Sequence, residues 1–248
     1  MASGCFDLLA ADYDRTWTNS GAGRLQRQAV WRYLFLLFRA GDRVLDLGCG
    51  TGEDACGLAR AGIRVSALDA SPAMVRIARD RGVSAELGSI ESIRDLDGTF
   101  DGVISNFGAM NCVPEVSALR GPLANLIRPG GHLAICLMSR FCLIESLSFA
   151  TQLRFRKAAR RWKGRTYAER LGLTVYYPSA KQVRRALAPE FRLVGRVGIG
   201  LAVPPSGIGD PSPSSLSLRS RIDARIAGWP GLRAMADHQL HIFRRTQR

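Results

Sequence analysis

The stretch VLDLGCGTGEDA, residues 44–55, constrains this chain more than any other. An apolar run, RVLDL, stops at three alternating glycines, Gly48, Gly50 and Gly52, and two acids follow where a helix would begin. Glycines at this spacing let backbone turn tightly or approach a ligand without a side chain between. Four readings compete: a dinucleotide site, a phosphate cradle, another cofactor pocket, or a plain turn. A dinucleotide loop needs G-x-G-x-x-G, and its third glycine, counted from Gly48 and Gly50, is replaced by Glu53. A phosphate cradle needs Gly-Lys-Ser/Thr, but Gly52-Glu53-Asp54 stands there. Acids at a helix N-terminus also repel phosphate from the amides that would bind it. The loop suits a ligand that brings positive charge or hydroxyls to bare backbone.

The neighbouring pattern agrees with an α/β reading. RLQRQAVWRYLFLLF (24–38) reads as an amphipathic helix, RVLDL as a buried strand, and EDACGLARA as a helix stopped at Gly62. IRVSALD is a second strand. SPAMVRIARDRG is a helix with Ser71 at the N-cap, Pro72 at its first position and Gly82 beyond its end. VSAEL and FDGVISN supply strands. VPEVSALRGPLANLI reads as a helix kinked at Gly121 and Pro122, and RPGGHLAICLM as a turn into a further strand. Alternation over residues 43–138 calls for a parallel sheet covered on both faces. Beyond it, residues 141–163 read as one long apolar-then-basic helix. LTVYYPSAKQVRRALAPEFRLVGRVGIGL reads as a helix and a strand, PPSGIGDPSPSSLS as a loop, and HQLHIFRRT as a last strand; SGIGDPSPSSLS together with residues 216–234 reads as a mobile flap that overhangs the sheet edge.

The 46% apolar and 23% charged residues suit a soluble domain with a real core. No run approaches a membrane span, and the opening MASGCFDLLAADYDR lacks the basic-then-apolar pattern of a signal peptide, so the expected compartment is the cytoplasm. The six cysteines (5, 49, 56, 112, 136, 142) form no CxxC pair and read as reduced, mostly buried thiols, with no metal site expected. The formal charge is +14, but only Lys157, Lys163 and Lys181 are lysines. An arginine-heavy, alanine- and glycine-rich chain can reflect genome composition, so charge alone supports attraction to anions and nothing narrower.

The spacing D-x-G-x-G-x-G, from Asp46 through Gly48, Gly50 and Gly52, resembles the first motif of the class I S-adenosylmethionine-dependent methyltransferases. The resemblance runs over residues 5–140, and the later elements match in order. It is nearest to the small-molecule enzymes of the ubiquinone-biosynthesis type. It implies a Rossmann-like three-layer sandwich whose seven-stranded sheet is mostly parallel with an antiparallel last strand. It implies one domain over 1–248, with lid helices at 1–40, a cofactor-binding core at 43–138, and substrate-covering elements at 139–248. The cofactor implied is S-adenosyl-L-methionine. Gly48, Cys49 and Gly50 would meet its amino-acid part and ribose through backbone, Gly52 would complete the loop, and Asp46 would lie near its ammonium group. Asp69, followed by Ala70, ends the second strand where an acid can accept from ribose hydroxyls. LGSIES occupies the adenine segment, but Ser89 stands where the family usually has Asp, with Ile90 to cover the ring and Glu91 to compensate. SNFGAMNCV puts Asn106 and Phe107 where cofactor and substrate meet. At the N-terminus Tyr13 matches a lid tyrosine, with Trp17 and Thr18 completing the wall and Arg24 to pair with the cofactor's carboxylate.

Methyl transfer to oxygen or a carbon acid benefits from a general base. His132 begins the fifth strand, at the far edge of the sheet. His238 opens an antiparallel last strand, at the ligand edge, and is the candidate base, with Tyr176 and Tyr177 as outsiders; His241 faces the other side of the sheet. RFRKAARRWKGR (154–165) reads as a cover helix with Phe155, Ala158, Ala159 and Trp162 as an inward apolar stripe and a solvated basic face. Its sharper reading is contact with an anionic membrane or an acidic or lipid-like substrate. The expected function is methyl transfer to a small biosynthetic metabolite, oxygen being the favoured acceptor. The rivals are a membrane-surface lipid or quinone methyltransferase, a nucleic-acid methyltransferase, and a non-catalytic cofactor-binding regulator. Against nucleic acid stands the lack of N/D-P-P-Y/F around Asn106 and of a Pro-Cys nucleophile. The oligomeric state does not follow from these residues.

Overall fold

In a computed structural model, residues 3–208 and 211–247 are described; the Cys5 side chain lies outside the described residues. Helix α1 (Ser3–Tyr13) runs into a wide π-helical turn, Asp14–Thr18, and then α2 (Gly21–Leu37), capped by Ser20 accepting from the Gly23 amide. The alternating core follows: β1 (Arg43–Leu47), α3 (Glu53–Arg60), β2 (Arg64–Asp69), α4 (Pro72–Asp80), β3 (Ser84–Leu87), β4 (Phe100–Ser105), α5 (Arg120–Leu126) and β5 (Ile127–Met138). Ser71 caps α4 from the Met74 amide with Pro72 in the first turn, as its sequence predicts.

The strands join in the order β3-β2-β1-β4-β5, all parallel. β8 (Phe191–Ile199) and β9 (His238–Arg245) complete the sheet as β5-β9-β8. β9 is antiparallel to both neighbours, so it alone runs against the other six. This is the seven-stranded, mostly parallel sheet expected above. Successive strand residues point to opposite faces, and the core divides accordingly. Leu45, Val103 and Leu133 pack with α5 and α8 (Ala180–Leu187), whereas Val44, Ile104 and Ala134 pack under Val30 and Leu34 of α2 and Leu58 of α3. Helices on both faces explain why the central strands read as continuous apolar runs.

Three expected elements differ. The helix anticipated at 113–127 is a 3₁₀ turn, Val116–Leu119, followed by α5, whose first turn holds Gly121 and Pro122. Proline is tolerated there because a first-turn amide has no helical acceptor, so the kink becomes a restart. The turn expected at 128–131 is drawn into β5, whose register with β4 shifts between Phe100 and Gly102. The long helix over 141–163 is three pieces: α6 (Leu143–Thr151), α7 (Phe155–Ala158) and a 3₁₀ turn at Arg160–Lys163. Leu153, at φ +56°, breaks it. A hairpin, β6 (Arg165–Ala168) and β7 (Leu173–Tyr176), follows, which the sequence reading did not separate. Within the serine- and proline-rich stretch, α9 (Pro213–Ile226) packs Leu216 against Ala22 of α2, so only the part before it overhangs the sheet edge.

His132 sits half-buried, edge-on to Phe38 at the sheet edge opposite the glycine loop, and burial with Arg244 and Arg128 holds its pKa down. His241 is buried in the middle of β9, stacked on Phe243. Burial, reinforced by Arg196 and Arg233, depresses it from 6.5 to about 3. The folded chain therefore holds His241 neutral while the unfolded chain protonates it, so stability falls as pH drops from about 6.5 toward 3 and is unaffected by this group above that window. His241→Phe is expected to flatten the urea-midpoint dependence across that window, read by circular dichroism, with little change at neutral pH.

Candidate functional site

The strand order reverses between β1 and β4, and parallel α/β sheets open a crevice at the carboxyl ends of such strands. A cleft of about 1540 Å³ lies there. That exceeds the ~300–1000 Å³ usual for one drug-sized ligand, so two molecules can lie side by side. Its walls come from α1, the loops after β1 to β5, α6, the basic turn at 160–161, β7, residues 205–208 and the start of β9.

One end is built from the glycine loop. Gly48 and Gly50 line the cleft, Gly48 at φ +74°, and a Cβ on Gly48 would fall onto that of Ala109. Only glycine leaves bare backbone at such a place. Asp69 lines the same end. Its Oδ2 accepts from the Gly50 amide at 2.8 Å and its Oδ1 from the Ser71 amide at 2.9 Å. Burial raises its pKa, against the pull of those amides. A carboxylate offers about four lone-pair sites, more than the backbone amides around it occupy, so it can still accept from a hydroxyl. Ala70, Ser89, Ile90 and Glu91 continue this wall.

Tyr13, Trp17, Asn106 and Phe107 form the middle. The rings of Trp17 and Phe107 meet at 4.8 Å, tilted by 60°, and Tyr13 lies 5.7 Å from Trp17. Burial pushes the Tyr13 hydroxyl up to about 12, so it stays neutral. Asn106 is buried, and neither its Nδ2 nor its Oδ1 has a partner among the described residues. Such orphaned groups are costly unless a ligand meets them.

Some anticipated residues lie elsewhere. Arg24 is exposed on α2 and off the cleft wall. Three positions on, Arg27 turns inward, 2.7 Å from Asp54 and over the rings of Trp17 (4.9 Å) and Phe107 (5.2 Å). Asp54 also accepts from the Trp31 indole at 2.6 Å, which takes that helix-start acid away from the loop. Asp46 is buried beneath the floor with Oδ2 unpartnered, and desolvation beside Asp54, against Arg27, holds its pKa well up. Thr18 is buried behind the wall, and Cys49 packs against the cluster around α4. Gly52, the third glycine, packs on α4, where a Cβ would meet Ala78 and Val83 at 3.0 Å. Its role is the close helix approach.

The other end holds a charged cluster that the sequence reading missed. His238 heads β9 and lines the cleft, its ring edge-on to Phe107 at 5.4 Å. Its Nδ1 lies 3.2 Å from Oδ2 of Asp237, close in charge but out of line for a hydrogen bond. Asp237 accepts from Arg161 at 2.9 Å and Gln26 at 3.2 Å. Burial would raise its carboxyl, but His238 and Arg161 outweigh that and hold it well below the usual carboxylate range. Arg161 and Arg160 both grip Glu145. Tyr176 lines the cleft and Tyr177 is buried under Arg161 at 5.7 Å. Asn111 ties this wall together, donating to the Tyr176 carbonyl and accepting from the Met138 amide. Cys112 lines the cleft, its thiol donating to the Gly108 carbonyl at 3.7 Å. The sign available in sequence was the paired Arg160-Arg161 beside Glu145, which helical periodicity had turned outward.

Removing one partner of a buried ion pair strands the other charge. Arg27→Met is expected to cost about 3–5 kcal/mol in chemical denaturation. The double variant Arg27→Met/Asp54→Leu should recover much of that loss.

Residues 44–131 match the family profile described as a methyltransferase domain. A demethylmenaquinone methyltransferase of Mycobacterium sp. strain KMS is 36% identical over 148 residues, 59% of this chain and 62% of that protein. The namesake from Corynebacterium kroppenstedtii is 32% identical over 136 residues, 54% of this chain and 58% of that protein. The alignments thus span less than two thirds of these relatives. Among solved structures, the CcbJ methyltransferase of Streptomyces caelestis superimposes with TM-score 0.64 at 16% identity, covering 99% of each chain. An S-adenosylmethionine-dependent methyltransferase of Mesorhizobium loti gives 0.59 at 18% identity, covering 89% of this chain and all of that one. The matches thus show a methyltransferase-domain profile over residues 44–131, carried on a fold shared with solved methyltransferases, and the glycine spacing and strand order above agree with both.

Proposed function

We propose that this chain transfers a methyl group from S-adenosylmethionine to an oxygen of a small biosynthetic metabolite. What carries the reading is one cleft with two unlike ends, bare backbone and Asp69 at one, His238 beside Asp237 at the other. The residues fit the cofactor: Asp69 can still accept from a ribose hydroxyl, Gly48 presents naked backbone, and Asn106, whose side-chain amide is unpartnered among the described residues, lines the middle. Ser89, Ile90 and Glu91 stand where an adenine would lie. When bound, the cofactor supplies an already activated methyl on a sulfonium, so alignment and exclusion of water are the protein's main tasks. Tyr13, Trp17 and Phe107 close the middle with aromatic surface and keep water out. His238 takes the proton of the acceptor hydroxyl, through Nε2, since Nδ1 faces Asp237. Arg161 keeps Asp237 ionised and in place beside it.

A second reading, methylation of a lipid-like quinone, is supported by the relatives' name and by the apolar residues Val113, Met138, Leu171 and Leu173 on the cleft wall.

Calorimetric titration with S-adenosylmethionine and S-adenosylhomocysteine tests the cofactor half. We expect binding by the wild type and a Kd at least ~10-fold weaker in Asp69→Ala, since each hydrogen bond to a charged group is worth about 1.5–3 kcal/mol. Absence of heat and of any thermal shift with both ligands would overturn the reading. For the acceptor half, metabolite extracts are screened for products one methyl heavier. His238→Gln should then lower turnover ~10²–10⁴-fold with cofactor affinity unchanged. Full turnover in that variant would mean that proximity alone suffices.

A further inference from the structure

Residues 141–167 make a surface unlike the rest of the molecule. Leu147 is 55% exposed, Leu153 77%, Phe155 63% and Trp162 49%. The rings of Phe141 and Trp162 meet at 5.9 Å, which joins the start of α6 to the turn after α7. Leu153 sits at φ +56°, a left-handed conformation unfavourable to a bulky side chain, and no burial within the chain repays it. Between Glu145 and Glu169 there is no acid. Arg154, Arg156, Lys157, Lys163 and Arg165 all face solvent around these apolar groups. Arg160 and Arg161 of the same run are committed inward to Glu145, so the outer cations are the ones without that duty.

We propose that this face docks on an anionic lipid bilayer. Protruding aliphatic and aromatic side chains ringed by cations match the two halves of such a surface, acyl chains below and negative headgroups above. A second copy of the chain fits worse, because it would press one acid-free basic face on another. Nucleic acid fits worse because Leu147 and Leu153 would stay in water beside the phosphates. Docking also bears on access: Phe149, Arg160 and Arg161 line the cleft while their neighbours face outward, so the cleft's wall would rest against the lipid. That consequence rests on the methyltransfer reading; the docking itself does not.

The test is co-sedimentation of the full chain with vesicles of phosphatidylglycerol mixed into phosphatidylcholine, against phosphatidylcholine alone, at low and high salt. Three proteins are compared: wild type, Leu153→Ser/Phe155→Ser/Trp162→Ser, and Leu36→Ser, which removes an exposed leucine from α2 near the opposite sheet edge. We expect salt-sensitive pelleting of the wild type and Leu36→Ser with the anionic vesicles only, falling at least ~10-fold in the triple variant. A charge variant, Arg156→Glu/Lys157→Glu, should lose binding likewise. S-adenosylhomocysteine affinity and thermal midpoint, measured on every variant, show whether the fold is kept. No pelleting of folded wild type overturns the proposal, as does pelleting that the triple variant retains. Self-association abolished by the triple variant without vesicle binding, or salt-dependent RNA binding in its place, also overturns it. Vesicle binding by a wild type that takes up no cofactor would instead sink the methyltransfer reading and leave the docking face standing.

Discussion

The guanidinium of Arg27 is the charge around which the cleft is assembled. It is buried, paired with Asp54 at the start of α3, and covered by Trp17 from the π-helical turn and Phe107 from the loop after β4. Three segments distant in sequence thus meet on one side chain. A buried arginine demands an anion, and its flat face prefers aromatic rings. That demand explains why Asp54, in the first turn of α3, turns toward α2 and away from the glycine loop. Asp46, also buried, has no paired arginine among the described residues, and burial favours its neutral form.

The N-terminal segment is held by a second set of charges on its outer side. Asp14, in the π-helical turn, accepts from the Thr51 hydroxyl at 2.8 Å and pairs with Arg81, which also reaches Glu53 at 3.5 Å. Asp7 of α1 accepts from the Ser71 hydroxyl and the Ala73 amide, and these bonds hold its carboxyl below the ordinary value. The N-terminal segment is therefore tied both to the glycine loop and to the start of α4. Partly exposed pairs of this kind contribute little stability each, but they set where the aromatic wall stands.

How much of this was legible depended on whether a feature was local. The order of strands and helices over 43–126, the Ser71 cap and the antiparallel last strand came from periodicity, capping chemistry and a specific motif, all of which act within a few residues or a known topology. The helix over 141–163 was misread because periodicity cannot see a single residue, Leu153, adopting a left-handed turn. Arg24 and Arg27 lie one helical turn apart, and the choice between them turns on which way α2 faces the sheet. The quartet of Glu145, Arg160, Arg161 and Asp237 joins residues up to 92 positions apart and is invisible before the chain is folded.

Local pattern alone was enough for the sheet, the bare-backbone loop and the acid at the end of β2, because alternating glycines and short-range hydrophobic patterns have few structural solutions. Which charges line the cleft, which pair with each other and which stay on the surface was settled by the packing of distant segments. That division follows from the cost of burying an unpaired charge. Each buried arginine must find an acid wherever folding brings one, and the cations that find none remain in water.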